Sequence, residues 1–570
     1  MTADLSPDNE VPPAAGSSAS GTAHLTLNQR LGEICVDILS GGYSDNVFAG
    51  HIHEAEAGSN GPVVVNLMVA SGYHSICVDV YEAGGRQDSR RARTRRNEMT
   101  DWGEHVDGHE TLESRRDKGR QLRKTVPRSS HGDWAAAPDR PNPVGLLEGQ
   151  NEDRLQWLVP IRRGRMMESP FTFYRGAARI MAHDLAATQS TGLTVQACGD
   201  GHLSNFGLYG SPERRLVFDI NDFDETLPGP WEWDVKRLAA SLVIAGRHRG
   251  FTEADSRGLA ERSVTSYRQT MQRFAELRTL DVWYASLAAD RLNELLESRG
   301  KKKKAKRARR AQDKATRKDS LHAFSKLAEE ANGRYRIASN HPVLVPLRDF
   351  VKYFGMEAAD VDALRDQLRQ DFDGYQSTLR PDRQLLLMKF RPIDIALKVV
   401  GVGSVGTRCF IVLLEGKDEG DPLFLQIKEA TDSVLEEHLP ASRWRHNGRR
   451  VVEGQRLMQS ASDLFLGWSK SFDGHDYYWR QLRDWKGSAD IEVMGRRALG
   501  DYAALCGWTL ARSHARSGDP IAMAGYLGTG SVFVKAITEF ATKYADQNEQ
   551  DYEQFVMAIR DGTLEADETR

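Results

Sequence analysis

The sequence predicts an α+β protein in which a small all-β, sandwich-like segment precedes a larger domain. The first 85 residues are poor in Lys and Arg and contain stretches typical of strands, whereas the rest mixes strand-like and helix-like patterns. At 570 residues, the chain is long enough to form several domains or lobes. We therefore expect the larger domain to occupy residues 117–570.

Composition argues against several classes of protein. A net charge of −3 argues against an electrostatic nucleic-acid binder. None of the five cysteines forms a CxxC pair, and no apolar run approaches the roughly 18 residues that span a bilayer. Residues 1–21 lack the pattern of a signal peptide. We expect a cytoplasmic protein with reduced thiols, without a membrane or nucleic-acid partner; its oligomeric state stays open.

The predicted β segment is followed by two stretches that separate or interrupt the predicted domains. Short strands are predicted at residues 23–27 and 63–67, between glycine- and asparagine-rich turns. Residues 86–116 are polar and heavily charged, which predicts a linker. Residues 291–340 begin with a strongly basic stretch that favours a solvated helical excursion. A phosphate-rich partner is the alternative interpretation of that stretch.

The first half of the large domain, residues 117–290, contains two predicted helices. Ser169 followed by Pro170 is typical of a helix start, and the helix is expected to continue to about Ala187. Residues 234–245 predict the second helix. Its candidate core positions are Leu238, Leu242 and Ile244.

The second half, residues 341–570, mixes strands and helices. Strands are predicted at 395–400, 409–414, 424–428 and 451–452, and helices at 502–516 and 532–544.

A loop rich in glycine carries the first candidate catalytic residues. Apolar residues alternate along 193–197, as on a strand, and the sequence Gly-Asp-Gly-His-Leu-Ser-Asn follows at 199–205. Asp200 and Asn205 begin and end this loop, so both can face one centre. This is the arrangement of a kinase catalytic loop, with the aspartate as base and the asparagine as metal ligand. His202 lies inside the loop, where it either assists or packs.

Three further carboxylates follow the next predicted strand, residues 215–218. They are Asp219, Asp222 and Asp224. Carboxylates this close repel one another unless a cation lies among them, and apolar residues interleave them. We therefore predict a magnesium site formed by these acids and Asn205.

A glycine-rich turn and a lysine supply candidate nucleotide-binding groups. The turn contains Gly401, Gly403, Ser404 and Gly406, and it is followed by a strand rather than by the helix of a dinucleotide-binding motif. Strand, glycine turn and strand form a hairpin that can fold over phosphates.

Lys428 lies on the next predicted strand, where it can pair with phosphate. Glu436 or Glu437 is expected to hold this lysine from the following helix. Arg175 offers a forked guanidinium to an acidic substrate or a phosphate, although a structural salt bridge explains it equally well.

Motifs along the chain resemble two known families. Within residues 1–85, the segments 5–13, 21–23, 51–53 and 58–65 look like a truncated chordin-type (CHRD) domain. Within residues 117–562, the motifs resemble the bacterial family called domain of unknown function 2252. The matching segments are 126–129, 161–166, 173–176, 199–207, 218–226, 231–238, 454–456 and 511–516.

A second resemblance suggests a function. Gly199 to Asn205, then Asp222 and then Asp234, are similar to motifs of aminoglycoside phosphotransferases and other small-molecule kinases. This likeness implies a two-lobed, protein-kinase-like fold that binds ATP and Mg²⁺, with Asp200 as base, Asn205 and Asp222 on the metal, and Asp234 bracing the loop.

The order of the motifs departs from the kinase pattern. In kinases the glycine loop and lysine precede the catalytic loop, whereas here Gly401 and Lys428 follow Asp200. Either the domain is circularly permuted or one half of the assignment is wrong. Permutation predicts that the helix at 510–516 ends near Gly199.

The function expected from the sequence is an ATP- and magnesium-dependent transfer of phosphoryl to an unidentified small-molecule or protein hydroxyl. Nucleotidyl transfer by the same acids is a second enzymatic interpretation. An inactive nucleotide-binding module and an adhesion protein led by the β segment are alternatives from other classes.

Overall fold

The computed structural model describes residues 110–289 and 302–567 except 472, 473 and 483, together with the backbone of six strands between residues 2 and 79. The chain divides into two units, Met1–His109 and Glu110–Arg570. Helices and strands alternate irregularly through the second unit, so the α+β class is confirmed.

The elements that the structure describes in the first unit are all strands, in agreement with the predicted β segment. β1, β2, β3 and β6 form a four-stranded antiparallel sheet in that order, and β4 pairs with β5. The strands are β1 (Thr2–Leu5), β2 (Ser20–Asn28), β3 (Glu33–Gly41), β4 (Phe48–His53), β5 (Val63–Val69) and β6 (Gly72–Asp79). Cys35 lies opposite Cys77 in the register of β3 and β6, although the two are far apart in the sequence.

The second unit contains the remaining elements. Its helices are α1 (Leu112–Thr125), α2 (Pro143–Asn151), α3 (Val159–Met167), α4 (Pro170–Gly176), α5 (Ala178–Ala186), α6 (Trp231–His248), α7 (Glu253–Phe274), α8 (Thr279–Tyr284), α9 (Lys302–Thr316), α10 (Ser320–Leu327), α11 (Phe350–Phe354), α12 (Ala358–Ser377), α13 (Pro381–Leu387), α14 (Asn447–Met458), α15 (Arg496–Ser517), α16 (Pro520–Leu527) and α17 (Val532–Arg560). Its strands are β7 (Thr194–Ala197), β8 (Phe206–Gly210), β9 (Leu216–Ile220), β10 (Leu227–Pro230), β11 (Leu287–Ala288), β12 (Ala328–Ala331), β13 (Arg334–Ile337), β14 (Leu344–Pro346), β15 (Arg391–Lys398), β16 (Cys409–Glu415), β17 (Pro422–Ala430), β18 (Gly467–Lys470), β19 (Asp476–Gln481) and β20 (Gly487–Ser488).

A six-stranded antiparallel sheet with the order β14-β15-β16-β17-β19-β18 organises the second half of this unit. Every residue of β16 and β17 is buried, because apolar side chains cover both faces of the sheet. Val412 packs with α12 on one face, whereas Ile411 packs with α10 on the other. The strands predicted at 409–414 and 424–428 are therefore central strands of this sheet.

The helical region has its core around α6. Sixteen residues of this helix are buried, including Leu238, Leu242 and Ile244 as predicted. Helices α7 and α17 pack directly against α6. The described cysteines Cys198, Cys409 and Cys506 are buried free thiols.

Taken singly, no helix in the described ranges has both the length and the apolar character to cross a membrane. Taken together, α16 and α17, with a bend of 85° between them, meet these two criteria of length and composition.

The helix that begins at Ser169 is shorter than predicted. Ser169 and Pro170 do form its capped start, but the helix ends at Gly176 and a new one begins at Ala178. The carbonyl of Gly176 accepts a hydrogen bond from Arg162 Nη2 (3.1 Å), and that of Tyr174 accepts one from Arg237 Nη2 (3.1 Å). Buried guanidinium groups thus satisfy carbonyls that a continuing helix would use.

Two further expectations, a strand at 451–452 and a wholly helical excursion, are corrected. Residues 451–452 lie within helix α14, because packing of this amphipathic segment outweighs the β-propensity of two valines. The expected basic excursion contains the hairpin of β12 and β13 after its helices, and residues 290–301 lie outside the described part of the chain.

The expected linker ends before residue 116, because α1 packs against α16 and Arg115 pairs with Asp519 (2.8 Å). Residues 86–109 of this linker lie outside the described residues.

A buried histidine is expected to make stability depend on pH. Tyr526 donates its hydroxyl proton to the Val126 carbonyl (3.0 Å), so His131 donates from Nε2 to that hydroxyl (2.7 Å), and its Nδ1 has no partner among the described residues. Burial, followed by the charge of Lys236, lowers the pKa of His131 to about 3. Stability from the neutral ring is complete above pH 6.5 and is lost as pH falls towards 3.

Between pH 6 and 4, His131→Gln should therefore reduce the pH dependence of the unfolding free energy by about 1.4 kcal/mol per pH unit. Urea unfolding at several pH values measures this slope in both proteins. Parallel curves for wild type and variant would show that His131 is not the group responsible.

Candidate functional site

The loop after β7 is held in place by Asp234 of helix α6. Asp234 Oδ2 accepts the backbone N–H of Cys198 (2.6 Å), and Oδ1 accepts that of Gly199 (3.0 Å). Gly199 has φ +80, and a Cβ atom there would lie 2.3 Å from the carbonyl oxygen of Glu225. Only glycine fits this position, so the turn that presents Asp200 is fixed by both the backbone and a buried carboxylate.

The end of helix α15 contacts Asp234, which holds this loop, and strand β7, which precedes it. His514 Nε2 lies 3.1 Å from Asp234 Oδ2, and its Nδ1 lies 2.8 Å from the hydroxyl of Tyr267. Ser517 Oγ accepts the backbone N–H of Gln196 (3.0 Å). The predicted proximity of segment 510–516 to Gly199 is therefore present, and His514 supports Asp234 from inside the core.

Asp200 faces a cavity while a buried arginine holds its carboxylate. Arg237 Nε donates to Asp200 Oδ1 (2.6 Å), and its Nη2 contacts the same oxygen. Burial outweighs Arg237 and raises the pKa of Asp200 to about 7. This carboxyl is consequently a stronger base than an ordinary aspartate once it is ionised.

The other two polar residues of the loop have distinct environments. Asn205 Nδ2 donates to the carbonyl of Asp200 (2.7 Å), which leaves its amide oxygen for another partner. His202 Nδ1 accepts the N–H of Ser204 (3.1 Å), and its Nε2 lies 3.7 Å from Asp200 Oδ2. Burial and the nearby Arg175 lower the pKa of His202, so the ring is neutral and shapes the loop.

Asp222 and Asp224 converge on Lys428. Lys428 Nζ lies 2.5 Å from Asp224 Oδ2 and 3.5 Å from Asp222 Oδ1, and Tyr478 donates to Asp224 Oδ1 (2.6 Å). Although burial opposes ionisation, Lys428 lowers the pKa of Asp224 to about 2. Asp222 Oδ1 is buried and accepts no hydrogen bond from the described residues. The two carboxylates therefore form an acidic pair around Lys428 that suits a cation.

Asp219, expected to bind metal, lies elsewhere. Its side chain is 1% exposed and forms an ion pair with the equally buried Arg512 of α15. Its Oδ2 accepts hydrogen bonds from the N–H and the hydroxyl of Ser460 (both 2.9 Å). Because it lies within β9 rather than after it, Asp219 points into the core and joins β9 to α15.

Glu436 does not hold Lys428, contrary to expectation. It lies in the 3₁₀ turn Val434–Glu437, where its carboxylate accepts the backbone N–H groups of Ser433 (3.4 Å) and Ser442 (3.0 Å). The adjacent Glu437 pairs with Arg179 (2.9 Å). The carboxylate of Glu436 is thus occupied in capping this turn. Asp224, rather than Glu436, pairs with Lys428.

The glycine turn between β15 and β16 is anchored by residues of the helical region. Arg165 Nη1 donates to the Gly401 carbonyl (2.7 Å), and the N–H of Leu155 donates to the Gly406 carbonyl (2.8 Å). Gly401 and Gly406 have positive φ, and a Cβ at Gly403 would lie 3.2 Å from the carbonyl oxygen of Arg175. Ser404 Oγ lies 3.4 Å from Asp224 Oδ2. The turn therefore covers the acids.

Two cavities meet beneath this turn. The first, of about 460 Å³, is lined by Asp200, His202, Asn205, Arg175 and Asp224. We call it the acid cavity. The second, of about 730 Å³, includes Lys428 and Arg480 in its lining, and we call it the lysine cavity. Both cavities share the residues Asp222, Gly401 and Ser404.

The donor set suits a hard cation bound through few protein ligands. Within the described residues, no three His, Cys, Asp or Glu side chains form a cluster that could hold a metal by themselves. Asp222, Asn205 and Asp224 all line the acid cavity, and no described residue donates a hydrogen bond to the buried Oδ1 of Asp222. Magnesium is bound in this way when substrate phosphates and water complete its octahedron.

Three residues of the site were missed by sequence analysis. Arg237 lies three positions after Asp234, on the same face of α6, so helical spacing alone could have indicated it. Tyr478 and Arg480 alternate on β19, which pairs with β17 beside Lys428. Their role depends on strand pairing, for which the sequence carries no local signal.

The fold and the site define a mixed α+β protein with an acidic cleft beneath an anchored glycine turn. The chain belongs to the family described as uncharacterized protein conserved in bacteria (DUF2252), whose model matches residues 154–558. The model of the CHRD domain matches residues 1–104. Both resemblances drawn from the motifs are confirmed. Searches of curated proteins and of solved structures found no match.

Proposed function

We propose that the second unit is a magnesium- and ATP-dependent phosphotransferase that acts on a hydroxyl group. The observation that carries this proposal is the division of the site into two cavities. The candidate base Asp200 lines only the acid cavity, Lys428 lines only the lysine cavity, and Asp222 belongs to both. A nucleotide and an acceptor bound in separate cavities would meet at Asp222, under the glycine turn.

The arrangement of the sheet supports a kinase-like, circularly permuted fold. The glycine turn joins β15 to β16, and Lys428 lies on β17, the third consecutive strand of the sheet. Protein kinases place their glycine-rich loop and phosphate-binding lysine in this way. The contacts of α15 with Asp234 and with β7 support the permuted order, because they bring the end of this late helix beside the loop that begins at Gly199.

The lysine cavity fits a nucleotide. Apolar side chains form one part of its wall, while Lys428, Arg480 and Asp463 supply charged groups. The apolar members of this wall are Leu386, Phe390, Val400, Leu423, Leu464, Phe465 and Leu482. Further charged side chains, among them Lys318, Lys326 and Lys398, line the rest of the cavity. The apolar part of the wall would contact a nucleobase, and the basic residues would contact the phosphates of the same nucleotide.

The residues around the acids have separable roles in this proposal. Asp222, Asp224 and Asn205 would hold Mg²⁺, which neutralises phosphate charge when bound. Asp200 would accept the proton of the acceptor hydroxyl, and Arg237 keeps its carboxylate oriented. Lys428 would exchange part of its pairing with Asp224 for a phosphate oxygen. The size of the acid cavity suits a small acceptor or a single protein side chain.

The first test is thermal unfolding with magnesium and ATP. At about 100 times Kd, Mg·ATP should raise the Tm of the wild type by roughly 3 to 5 °C, and Asp222→Ala should abolish the shift. Asp366→Ala is the matched control, because Asp366 is an exposed carboxylate paired with Arg369 on α12, away from both cavities. It should shift like the wild type.

Other outcomes separate the alternatives. If no nucleotide shifts the Tm of the wild type, the phosphotransferase proposal fails. A shift without any turnover would indicate a nucleotide-binding module. Transfer of label from the α-phosphate of ATP, rather than from the γ-phosphate, would indicate nucleotidyl transfer.

A further inference from the structure

Arg175 lies at the junction of the glycine turn and the acid cavity. It is close to the end of α4, and its carbonyl oxygen contacts the turn at Gly403. Arg175 lines the acid cavity together with Asp200, Asn205 and Asp222. Arg175 therefore faces the place where the two cavities meet.

Its guanidinium lacks the partners that neighbouring arginines have. Arg237 bonds to Asp200 and to Tyr174, and Arg162 donates to Asn151 and to Gly176. By contrast, the guanidinium of Arg175 forms no hydrogen bond with any residue in the described ranges, and its Nε is buried without a partner. Asp200, Asp222 and Glu168 influence its charge only from a distance.

A largely buried cation with unused donors is costly unless an anion accepts from them. The fork of a guanidinium matches two oxygens of one phosphate, which a lysine cannot reproduce. In the proposed reaction, the terminal phosphoryl of the nucleotide would pass from the lysine cavity to the acid cavity, which Arg175 and Gly403 line. Charge and position thus favour the same ligand.

We propose that Arg175 forms an oxyanion subsite that binds the transferred phosphoryl group. This inference rests on the proposed function. The acceptor oxygen forms a new P–O bond, the bond to the bridging oxygen of ADP breaks, and its electron pair stays on ADP. The acceptor proton passes to Asp200. Throughout, Arg175 donates N–H groups to non-bridging oxygens of the phosphoryl, so it is a catalytic residue whose contribution depends on that group.

The test compares a triphosphate with a diphosphate. Calorimetry measures binding of Mg·ADP and of the non-hydrolysable β,γ-imido analogue of ATP to wild type, Arg175→Met and Arg175→Lys. For Arg175→Met, affinity for the imido analogue should fall about 10- to 100-fold, and affinity for ADP should stay within about twofold. Arg175→Lys should lose less affinity for the imido analogue than Arg175→Met, because lysine keeps a positive point charge although it lacks the forked donors of a guanidinium.

Arg163→Met is the matched control. Arg163 lies on the adjacent helix α3 and pairs with Glu148 outside both cavities, so this variant removes the same charge without touching the subsite. It should bind both nucleotides like the wild type. If Arg175→Met does not fold, the test uses Arg175→Lys instead. The proposal is overturned if Arg175→Lys prefers the imido analogue over ADP by the same factor as the wild type does.

The remaining outcomes are also decisive. Equal losses for both nucleotides, or no loss for either, overturn the subsite. If the wild type binds neither nucleotide, the proposed function fails and the probe becomes inorganic phosphate alone. If phosphate raises the Tm of the wild type and Arg175→Met abolishes this rise, Arg175 forms an anion site in a protein that is not a phosphotransferase. If phosphate does not raise the Tm of the wild type, the anion site is overturned as well.

Discussion

Asp200→Asn is expected to lower phosphoryl transfer by about 10²- to 10⁴-fold while Mg·ATP binding stays within about threefold. Asparagine keeps the size of the side chain and an oxygen that can accept from Arg237, but it cannot take the proton of a hydroxyl. Asp200 lines the acid cavity and is absent from the wall of the lysine cavity, so nucleotide affinity has little reason to change.

Labelled γ-phosphate of ATP measures this prediction, both by its release to water and by its transfer into a pool of small molecules. Calorimetry with the imido analogue measures binding in the same preparations. Asp366→Asn is the control, because it makes the same substitution at an exposed carboxylate outside both cavities. Undiminished transfer by Asp200→Asn would remove this residue from the role of base, and a parallel loss of binding and transfer would make it a binding residue.

Breaking the buried pair between Asp219 and Arg512 is expected to cost about 3–5 kcal/mol of unfolding free energy. Each side chain is 1% exposed, so removing either partner leaves a charge in the core without compensation. Asp219 also accepts two hydrogen bonds from Ser460, which ties the segment after α14 to β9. Both Asp219→Asn and Arg512→Met should therefore unfold at clearly lower urea concentrations than the wild type.

The double variant separates a structural pair from a metal ligand. If the pair is structural, Asp219→Asn combined with Arg512→Met should cost less than the sum of the single changes, because the two residues are directly coupled. The magnesium-dependent Tm shift should survive in Asp219→Asn and vanish in Asp222→Ala. If Asp219→Asn is nearly as stable as the wild type but shows no magnesium-dependent Tm shift, Asp219 is a metal ligand after all.

Local patterns predicted the elements whose signals are contained within a few residues. Ser169 and Pro170 mark a capped helix start, and the apolar runs at 409–414 and 424–428 lie in central strands. These features depend on caps and on strand burial, which act over short distances. The likeness to small-molecule kinases, rather than a local pattern, implied that Asp234 braces the loop, and Asp234 accepts two N–H groups there.

Neighbouring carboxylates with similar sequence surroundings have different roles. Asp219 lies between Phe218 and Ile220, and Asp222, three residues later, directly precedes Phe223. The end of β9 at Ile220 separates them, so the first points to Arg512 in the core and the second to the cleft. A residue within a buried strand must find its partner in the core, which would have been the signal against a metal role for Asp219.

By itself, the sequence determined the α+β class, both family resemblances, the loop from Gly199 to Asn205, and the acids that follow it. Only the tertiary structure decided that Lys428 pairs with Asp224 across 204 positions of the chain, and that Glu436 caps a turn instead. It also decided that the glycine turn covers the acids and that Arg175 has unused donors. Such relations depend on which surfaces meet when the sheet packs against the helices, and distant burial and charge compensation select them rather than local propensity.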